Sequence, residues 1–408
     1  MAHGTIGQAG GWRGRVAVLA GIAVLAAGLV GCESANENKQ KEQAKRQWNQ
    51  ARAAVLGGVA KEQYTNGNLP EARKMLGQAL KLDPENAGLL VLSAKLAIEQ
   101  GQLDMAEQEL ARARAADSKY GEAFYLSGVV YQRWQKTDRA YEFYTQAAEK
   151  APSELAYVLA QAEMLVALNR QGEALALLEP KVVYFEHSGA IRDEVGQLLV
   201  QQGRYAEAAE VLRQASILSN NDPTVNEHLG LALYFAKQYK DAAEVLGRLL
   251  KDEPYSKRAD LFLAIGECQL QSGKPRDARG SFETAAELDG SMPSVWLSLG
   301  KAAMELGDLK RAELSLKKAM AMDPASAPSN LMLGYLRLKQ GRTQDALAAF
   351  RKANELDPGD TVSVCMVGYA LEKLGKGEQA AQYYGKALRM KPNDDFASKL
   401  MAGVDLHD

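Results

Sequence analysis

The sequence predicts an all-α solenoid of about ten helix-turn-helix repeats. Three observations predict it: a 34-residue period fills most of the 408-residue chain, two columns of that period hold small residues, and glycine and proline recur where helices would end. Apolar residues make up 47% and charged residues 25%, which is the composition of a folded protein. We therefore expect most of the chain to bury a helical core.

The N-terminal segment 1–31 is predicted to be a signal peptide. Two arginines precede an apolar run of 15 residues, 16–30, which is shorter than the roughly 18–20 residues that a membrane-spanning helix needs. The run ends in Leu29-Val30-Gly31-Cys32, which resembles the lipobox of bacterial lipoproteins. That resemblance implies cleavage before Cys32 and acylation of its thiol, and several acyl chains give stable anchoring. The alternative is an uncleaved N-terminal anchor.

Segment 32–52 is predicted to be a lipidated polar tether. It is rich in Glu, Lys, Gln, Ala and Arg and has almost no core pattern. These residue types favour helix, so the tether can be a solvated helix.

The repeat array is predicted to cover 53–394. It divides into blocks of 34 residues, with a two-residue slip at Lys257-Arg258 that a loop between blocks can absorb. Position eight of every block is glycine or alanine, position twenty is always alanine, and position twenty-four is always large and apolar. The ten blocks begin at Ala53, Ala87, Gly121, Leu155, Gly189, Pro223, Ala259, Pro293, Ala327 and Thr361.

Each column has a physical reason. Small residues at positions eight and twenty let two helices approach, and the bulky residue at twenty-four fills the space beside that contact. Glycine at position fifteen, found in seven blocks, can take the left-handed conformation that ends a helix. Proline at position thirty-two, as in Asp323-Pro324, stops the second helix. Each block is therefore predicted to be helix, tight turn, helix and loop.

This pattern resembles the tetratricopeptide repeat (TPR) family. Block eight carries its motif in Trp296, Leu299-Gly300, Ala312 and Pro324. The resemblance implies a right-handed superhelix in which the first helix of each pair lines a concave groove. In that family the groove usually holds an extended peptide or a partner helix.

Two segments depart from the lattice. Pro180 lies where the second helix of block four should continue, so we expect a break near Glu179 and an irregular stretch around 179–190. Decay of an interior repeat and a functional kink both explain it. Residues 395–408 remain as a C-terminal cap or tail.

The sequence carries no motif for catalysis, a metal or a cofactor apart from the covalent lipid on Cys32. Phosphate loops, nucleophile elbows and His-Glu-x-x-His pairs are absent, and the four histidines are scattered. Lys+Arg 49 against Asp+Glu 51 gives no electrostatic case for nucleic acid. Cys268 and Cys365 lie three blocks apart, too far for a disulfide. The chain is therefore predicted not to be an enzyme.

Partner binding is predicted on the groove face of the first helices. Under the family geometry, positions two, five, nine and twelve face the groove. Aromatic residues mixed with charges suit a protein or peptide partner. Tyr335 and Tyr369 share position nine of adjacent blocks, so an aromatic ladder is expected there. The candidate residues are Tyr125, Tyr234, Lys301, Tyr335 and Tyr369.

The sequence therefore favours a bacterial TPR lipoprotein that is a scaffold for an envelope assembly such as pilus, polysaccharide export or secretion machinery. Glu33 in place of Asp after Cys32 favours the outer membrane facing the periplasm. Two alternatives stay open. One is a glycan-binding periplasmic protein with Tyr and Trp faces stacked on sugars. The other is a cytosolic co-chaperone type on an uncleaved anchor, although no block has the Lys at position five and Asn at position nine of that clamp.

Overall fold

The computed structural model describes the backbone of residues 13–403 and the side chains of residues 37–403. Over that part of the chain the fold is all-α, with 22 α-helices, one short 3-10 turn and no strand. The predicted all-α class is thereby confirmed. The predicted signal residues 1–12, the side chain of the predicted lipidation residue Cys32 and the last five residues of the predicted tail lie outside the described residues.

The chain divides into two compact units, 1–174 and 175–408. In the first unit, a long helix that includes the predicted tether is followed by antiparallel helix pairs. Its helices are α1 (Arg13–Thr65), α2 (Leu69–Leu82), α3 (Ala87–Glu99), α4 (Leu103–Ala116), α5 (Gly121–Arg133), α6 (Thr137–Lys150), α7 (Leu155–Ala167) and the beginning of α8 (Gln171–Leu178).

The second unit continues the same pattern of helix pairs. A four-residue helix, α9 (Lys181–Tyr184), follows Pro180, and a last helix, α22 (Asp395–Ala402), closes the described chain. Between them lie α10 (Gly189–Gln201), α11 (Tyr205–Leu218), α12 (Pro223–Phe235), α13 (Tyr239–Leu249), α14 (Ala259–Gln271), α15 (Pro275–Leu288), α16 (Pro293–Glu305), α17 (Leu309–Met322), α18 (Ala327–Lys339), α19 (Thr343–Leu356), α20 (Thr361–Lys373) and α21 (Gly377–Met390).

In the seven blocks that have glycine at position eight, that glycine faces the bulky residue at position twenty-four. A Cβ added to Gly368 would lie 2.6 Å from Cε1 of Tyr384, and one added to Gly300 would lie 3.0 Å from Cδ2 of Leu316. Both bulky side chains are fully buried. The glycines are therefore required because the ring or branched chain occupies the space of a side chain, and burial of these groups stabilises each pair.

The tight turn inside each pair uses the left-handed conformation at position fifteen. All seven glycines there have positive φ, for example +75° at Gly67. Three blocks place Gln135, Asn169 and Lys237 at this position, and these residues also have φ near +60°. The backbone of the turn is thus the same whether or not glycine is present, although a side chain makes it less favourable.

Three further observations concern the cysteines, membrane-spanning helices and metal-binding groups. Cys268 and Cys365 are free thiols in the core. Among the described residues, no helix is long and apolar enough to cross a membrane, and no group of three His, Cys, Asp or Glu residues is placed to hold a metal.

Candidate functional site

Two adjoining cavities lie on the first helices of the last repeats in the second unit. The first cavity, about 500 Å³, is bounded by α14, α16 and α18, and includes Lys301, Met304 and Met332. The second cavity, about 730 Å³, is bounded by α18, α20 and α22. Tyr335 and Lys339 line both, so the cavities form one continuous groove. We call this surface the C-terminal groove.

Helix periodicity explains which side chains reach this groove. Lys301, Tyr335 and Tyr369 occupy position nine of their blocks, while Lys339 and Lys373 occupy position thirteen. Positions four residues apart lie on the same face of a helix, so both columns point the same way. The opposite faces of α16, α18 and α20 pack into the core through residues such as Leu299, Leu336 and Val367.

The two predicted tyrosines share the second cavity. The ring of Tyr335 packs edge-on against Phe350, with centroids 5.5 Å apart, and the ammonium of Lys373 lies 5.3 Å from the centroid of Tyr369. Among the described ring pairs, none joins Tyr335 to Tyr369, so the expected aromatic ladder is replaced by a shared cavity wall. Burial raises the pKa of Tyr335, with a further contribution from Asp360, so its phenol stays protonated at neutral pH.

The charge of the C-terminal groove is positive. Lys301, Lys339 and Lys373 form no ion pair or hydrogen bond with any side chain in the described part of the chain. Glu305 is the carboxylate among the residues that line the two cavities. Three ammonium groups against one carboxylate leave net positive charge for an anionic ligand.

The floor of the groove is apolar. Met304 and Met366 are buried, and Met332 is half-buried beside them. In the second cavity, Phe396 and Leu400 of α22 add a further apolar wall. Methionine side chains are flexible and polarizable, which suits a surface that adapts to its ligand.

The other two predicted binding residues lie in separate clusters. Tyr125, in the first unit, stacks on Tyr157 with centroids 4.7 Å apart. Tyr234 donates from its hydroxyl to Glu267 Oε2 at 3.3 Å, and burial together with that carboxylate raises its pKa to about 12. Glu267 also accepts from Ser298 at 2.7 Å, so Tyr234 is part of a link between consecutive repeats.

The structure therefore places the predicted residues Lys301, Tyr335 and Tyr369 in one groove, which has further members that the sequence pattern does not predict. Lys339 and Lys373 occupy position thirteen, which is not among the positions predicted to face the groove. Phe396 and Leu400 belong to the segment after 394, which is predicted to be a cap or tail. The helical rule that positions four apart share a face would have identified the two lysines.

Comparison with known proteins agrees with the repeat architecture. Models described as tetratricopeptide repeat match residues 63–126 and 122–153, and one described as TPR repeat matches 196–235. The model of the cilia and flagella-associated protein 70 C-terminal domain matches 222–406. The chain contains tetratricopeptide repeats. No curated protein matched the sequence.

The solved structures that match the chain include the following three. A thermophilic TPR protein of Thermus thermophilus is 22% identical, with 44% of this chain and 98% of that chain covered and a TM-score of 0.41. The APC/C hetero-tetramer Cut9-Hcn1 is 12% identical, with 86% and 96% covered and a TM-score of 0.46. Yeast Tom70 is 13% identical, with 86% and 87% covered and a TM-score of 0.46.

The TPR fold suggests a protein–protein interaction scaffold. Proteins built of these repeats are generally non-enzymatic, and none of the matching models describes a catalytic family. The C-terminal groove has the features of a binding site, since it is concave, apolar at its floor and charged at its rim.

Proposed function

We propose that this protein is a lipid-anchored scaffold of a bacterial envelope assembly that binds a segment of another protein in the C-terminal groove. The observation that carries the proposal is the groove itself: two adjoining cavities with an apolar floor, two tyrosines in the wall and lysines that no carboxylate of the described chain neutralises. Such a surface has the large aromatic contacts and the charged rim that protein interfaces use.

The anchoring part of the proposal rests on the N-terminal sequence. Two arginines, the apolar run 16–30 and Leu29-Val30-Gly31-Cys32 are the parts of a lipoprotein signal, and the polar segment after Cys32 supplies a spacer. The spacer lies in α1, whose residues 37–48 are exposed, which is consistent with a solvated helical tether. Glu33 after Cys32 supports an outer-membrane location facing the periplasm.

Acyl labelling tests the anchor. We expect wild type to incorporate a clickable fatty acid and Cys32→Ala to lose the label and remain unprocessed or be released from membranes. Cys268→Ala is the matched control because it removes a different cysteine, one that is buried in the core. Equal labelling of wild type and Cys32→Ala would rule out the lipoprotein anchor.

Site-specific photo-crosslinking in the native cell tests the groove. A photoreactive amino acid at Tyr369 should capture a defined protein. The control is the same probe at Leu314, an exposed residue of α17 that lines neither cavity. Identical captures from the two positions, or none from Tyr369, would contradict the scaffold proposal.

A second candidate function, glycan binding, has one specific observation in its favour. Phe235 is 46% exposed and its ring is stacked on Tyr205, with centroids 5.1 Å apart. Sugar rings pack against such aromatic faces. Competition between soluble envelope polysaccharide and peptide for the protein, compared in wild type and Phe235→Ala, separates the two functions.

A further inference from the structure

We infer that the occupant of the C-terminal groove is an acidic amphipathic segment of a partner protein, with two apolar side chains that enter the two cavities and carboxylates that meet the lysines. This inference rests on the proposed function, because it specifies the chemistry of the partner that the groove binds.

The charge of the groove selects an acidic ligand. In block two, a lysine on the same face is neutralised by the protein: Lys95, at position nine, lies 2.5 Å from Glu122. Lys301 occupies position nine of block eight, and the residue equivalent to Glu122 is Pro328, which carries no charge. A ligand carboxylate would supply the missing partner, since oppositely charged groups across an interface set specificity and register.

The hydroxyl groups of the wall favour the same ligand. Tyr384, in the core behind the groove, donates to Glu372 at 2.8 Å. The hydroxyls of Tyr335 and Tyr369 have no such acceptor among the described residues, although they line the second cavity. Both are therefore free to donate to a carboxylate or a backbone carbonyl of a bound segment.

The apolar floor requires that the ligand also carry hydrophobic side chains. Met304 and Met332 lie in the first cavity, and Met366, Phe396 and Leu400 line the second. Cavities of about 500 and 730 Å³ accommodate side chains as large as leucine or phenylalanine. An anionic polysaccharide would satisfy the lysines but would leave this floor uncovered, so the observations favour a polypeptide.

Repeat geometry sets the spacing of the two apolar side chains. The two cavities meet at Tyr335 and Lys339 of α18, and they open between consecutive first helices. Packed helices lie about 8–10 Å apart, so the two anchors should be about 10 Å apart. That distance corresponds to about seven residues of a helix or three of an extended strand.

Designed peptides test the inference directly. The probes are fluorescent peptides of about 15 residues with two leucines spaced by seven or by three positions among glutamates. A second set has lysine in place of glutamate, and a third has serine in place of leucine. Binding is measured by anisotropy with the full chain in phosphatidylcholine nanodiscs. We expect one acidic leucine peptide to bind at least about tenfold more tightly than its lysine and serine counterparts.

Charge reversal supplies the decisive comparison. The variant Lys301→Glu/Lys339→Glu/Lys373→Glu should lose at least about tenfold affinity for the acidic peptide and gain affinity for the lysine peptide. The matched control is Lys310→Glu/Lys376→Glu/Lys386→Glu, which adds the same charge at residues that line neither cavity. This control should keep the preference of the wild type.

The remaining outcomes separate this inference from the proposed function. Equal binding of acidic and lysine peptides, with both weakened by Tyr335→Ala, would overturn the acidic partner and leave the groove as a protein-binding site. If alginate binds as tightly as the acidic peptide and this binding is lost in the charge-reversed variant, the assignment of a polypeptide ligand is overturned. Failure of all peptides to bind would overturn the inference, whereas the crosslinking result would still decide whether the groove has a protein partner.

Discussion

The same position of the repeat has different roles in the first unit and in the last repeats of the second. Lys95 and Lys301 both occupy position nine, but Lys95 is paired with Glu122 of the next block and Lys301 is followed by Pro328 at the equivalent place. The charge of Lys95 joins block two to block three. In the C-terminal groove the charge of Lys301 has no internal partner among the described residues, so it remains available to a ligand.

Hydroxyl and amide groups show the same contrast. In the first unit, Tyr64 donates to Glu99 and Gln132 donates to Glu163 at 2.9 Å, and each bond links adjacent blocks. At position twelve, blocks eight and nine carry Met304 and Leu338 instead, and cavities lie beside them. A binding surface therefore arises on this face where the side chains at position twelve no longer link one repeat to the next.

The largest effect is expected from substitutions in the core, which test whether the first unit and the last repeats of the second unit pack in the same way. Tyr144 in the first unit and Tyr384 in the second both occupy position twenty-four and are fully buried. Alanine at either site removes a ring from a close-packed helix crossing and should lower the free energy of unfolding by about 3–5 kcal/mol. Chemical denaturation measures it. A loss below about 1 kcal/mol at one site would mean that the two regions do not share a core design.

The second prediction concerns binding in the C-terminal groove. Tyr335→Ala and Tyr369→Ala should each weaken the binding of a captured partner or peptide by about 1–2 kcal/mol, because tyrosines in a desolvated groove are typical hot spots. The free energy of unfolding should fall by less in Tyr369→Ala than in Tyr384→Ala, since Tyr369 is only half-buried. Affinity and denaturation are measured on the same variants. If both variants lower the free energy of unfolding as much as Tyr384→Ala does and the folded protein binds with unchanged affinity, these tyrosines are core residues.

The sequence predicted the repeat and its core well because their determinants are local and recur. Gly368 and Tyr384 are sixteen residues apart, as their columns are in every copy of the pattern, and the space that one leaves is filled by the other. The pairing state of Lys301 and Lys339 was not predictable in this way. It depends on whether the neighbouring block presents a carboxylate within reach, and that varies from block to block without changing the core.

The contribution of α22 was also beyond the pattern. Residues 395–402 follow the last complete block, so no column assigned a face to Phe396 or Leu400. Their role in lining the second cavity follows from how that helix packs on α20 and α21, where Ala397 is fully buried. The repeat pattern gives a position to each lysine and tyrosine of the groove, but it gives none to Phe396 or Leu400.

A smaller effect on stability is expected where an ion pair joins blocks five and six, which precede the repeats of the groove in the sequence. His228 Nδ1 lies 2.8 Å from Asp193 Oδ1, and that hydrogen bond raises the pKa of His228 above its usual value despite partial burial. A raised folded-state pKa stabilises the fold below the ordinary pKa of histidine, and the gain is lost as pH rises through the raised value.

We therefore expect Asp193→Asn to cost more stability near pH 5.5 than near pH 8.5, by less than about 1 kcal/mol. Denaturation of wild type and variant at the two pH values measures the difference, and His228→Gln should abolish it. A cost that is larger at the alkaline end would contradict the charged link.

The smallest effect on stability is expected at position nine, where it distinguishes Lys95 from Lys301. Lys95 and Glu122 are each about one-third exposed, so their pairing should contribute about 0.5 kcal/mol, as partly exposed ion pairs do. A double-mutant cycle of Lys95→Met and Glu122→Gln should show that coupling, and added salt should reduce it. Lys301→Met should leave the free energy of unfolding unchanged within about 0.3 kcal/mol, because no carboxylate is released and the new side chain extends the methionine floor. The same substitution should weaken binding of the acidic peptide, whereas Lys95→Met should leave that binding unchanged. If Lys301→Met destabilises the fold as much as Lys95→Met does, position nine has one structural role throughout the chain and the lysines of the groove are not reserved for a partner.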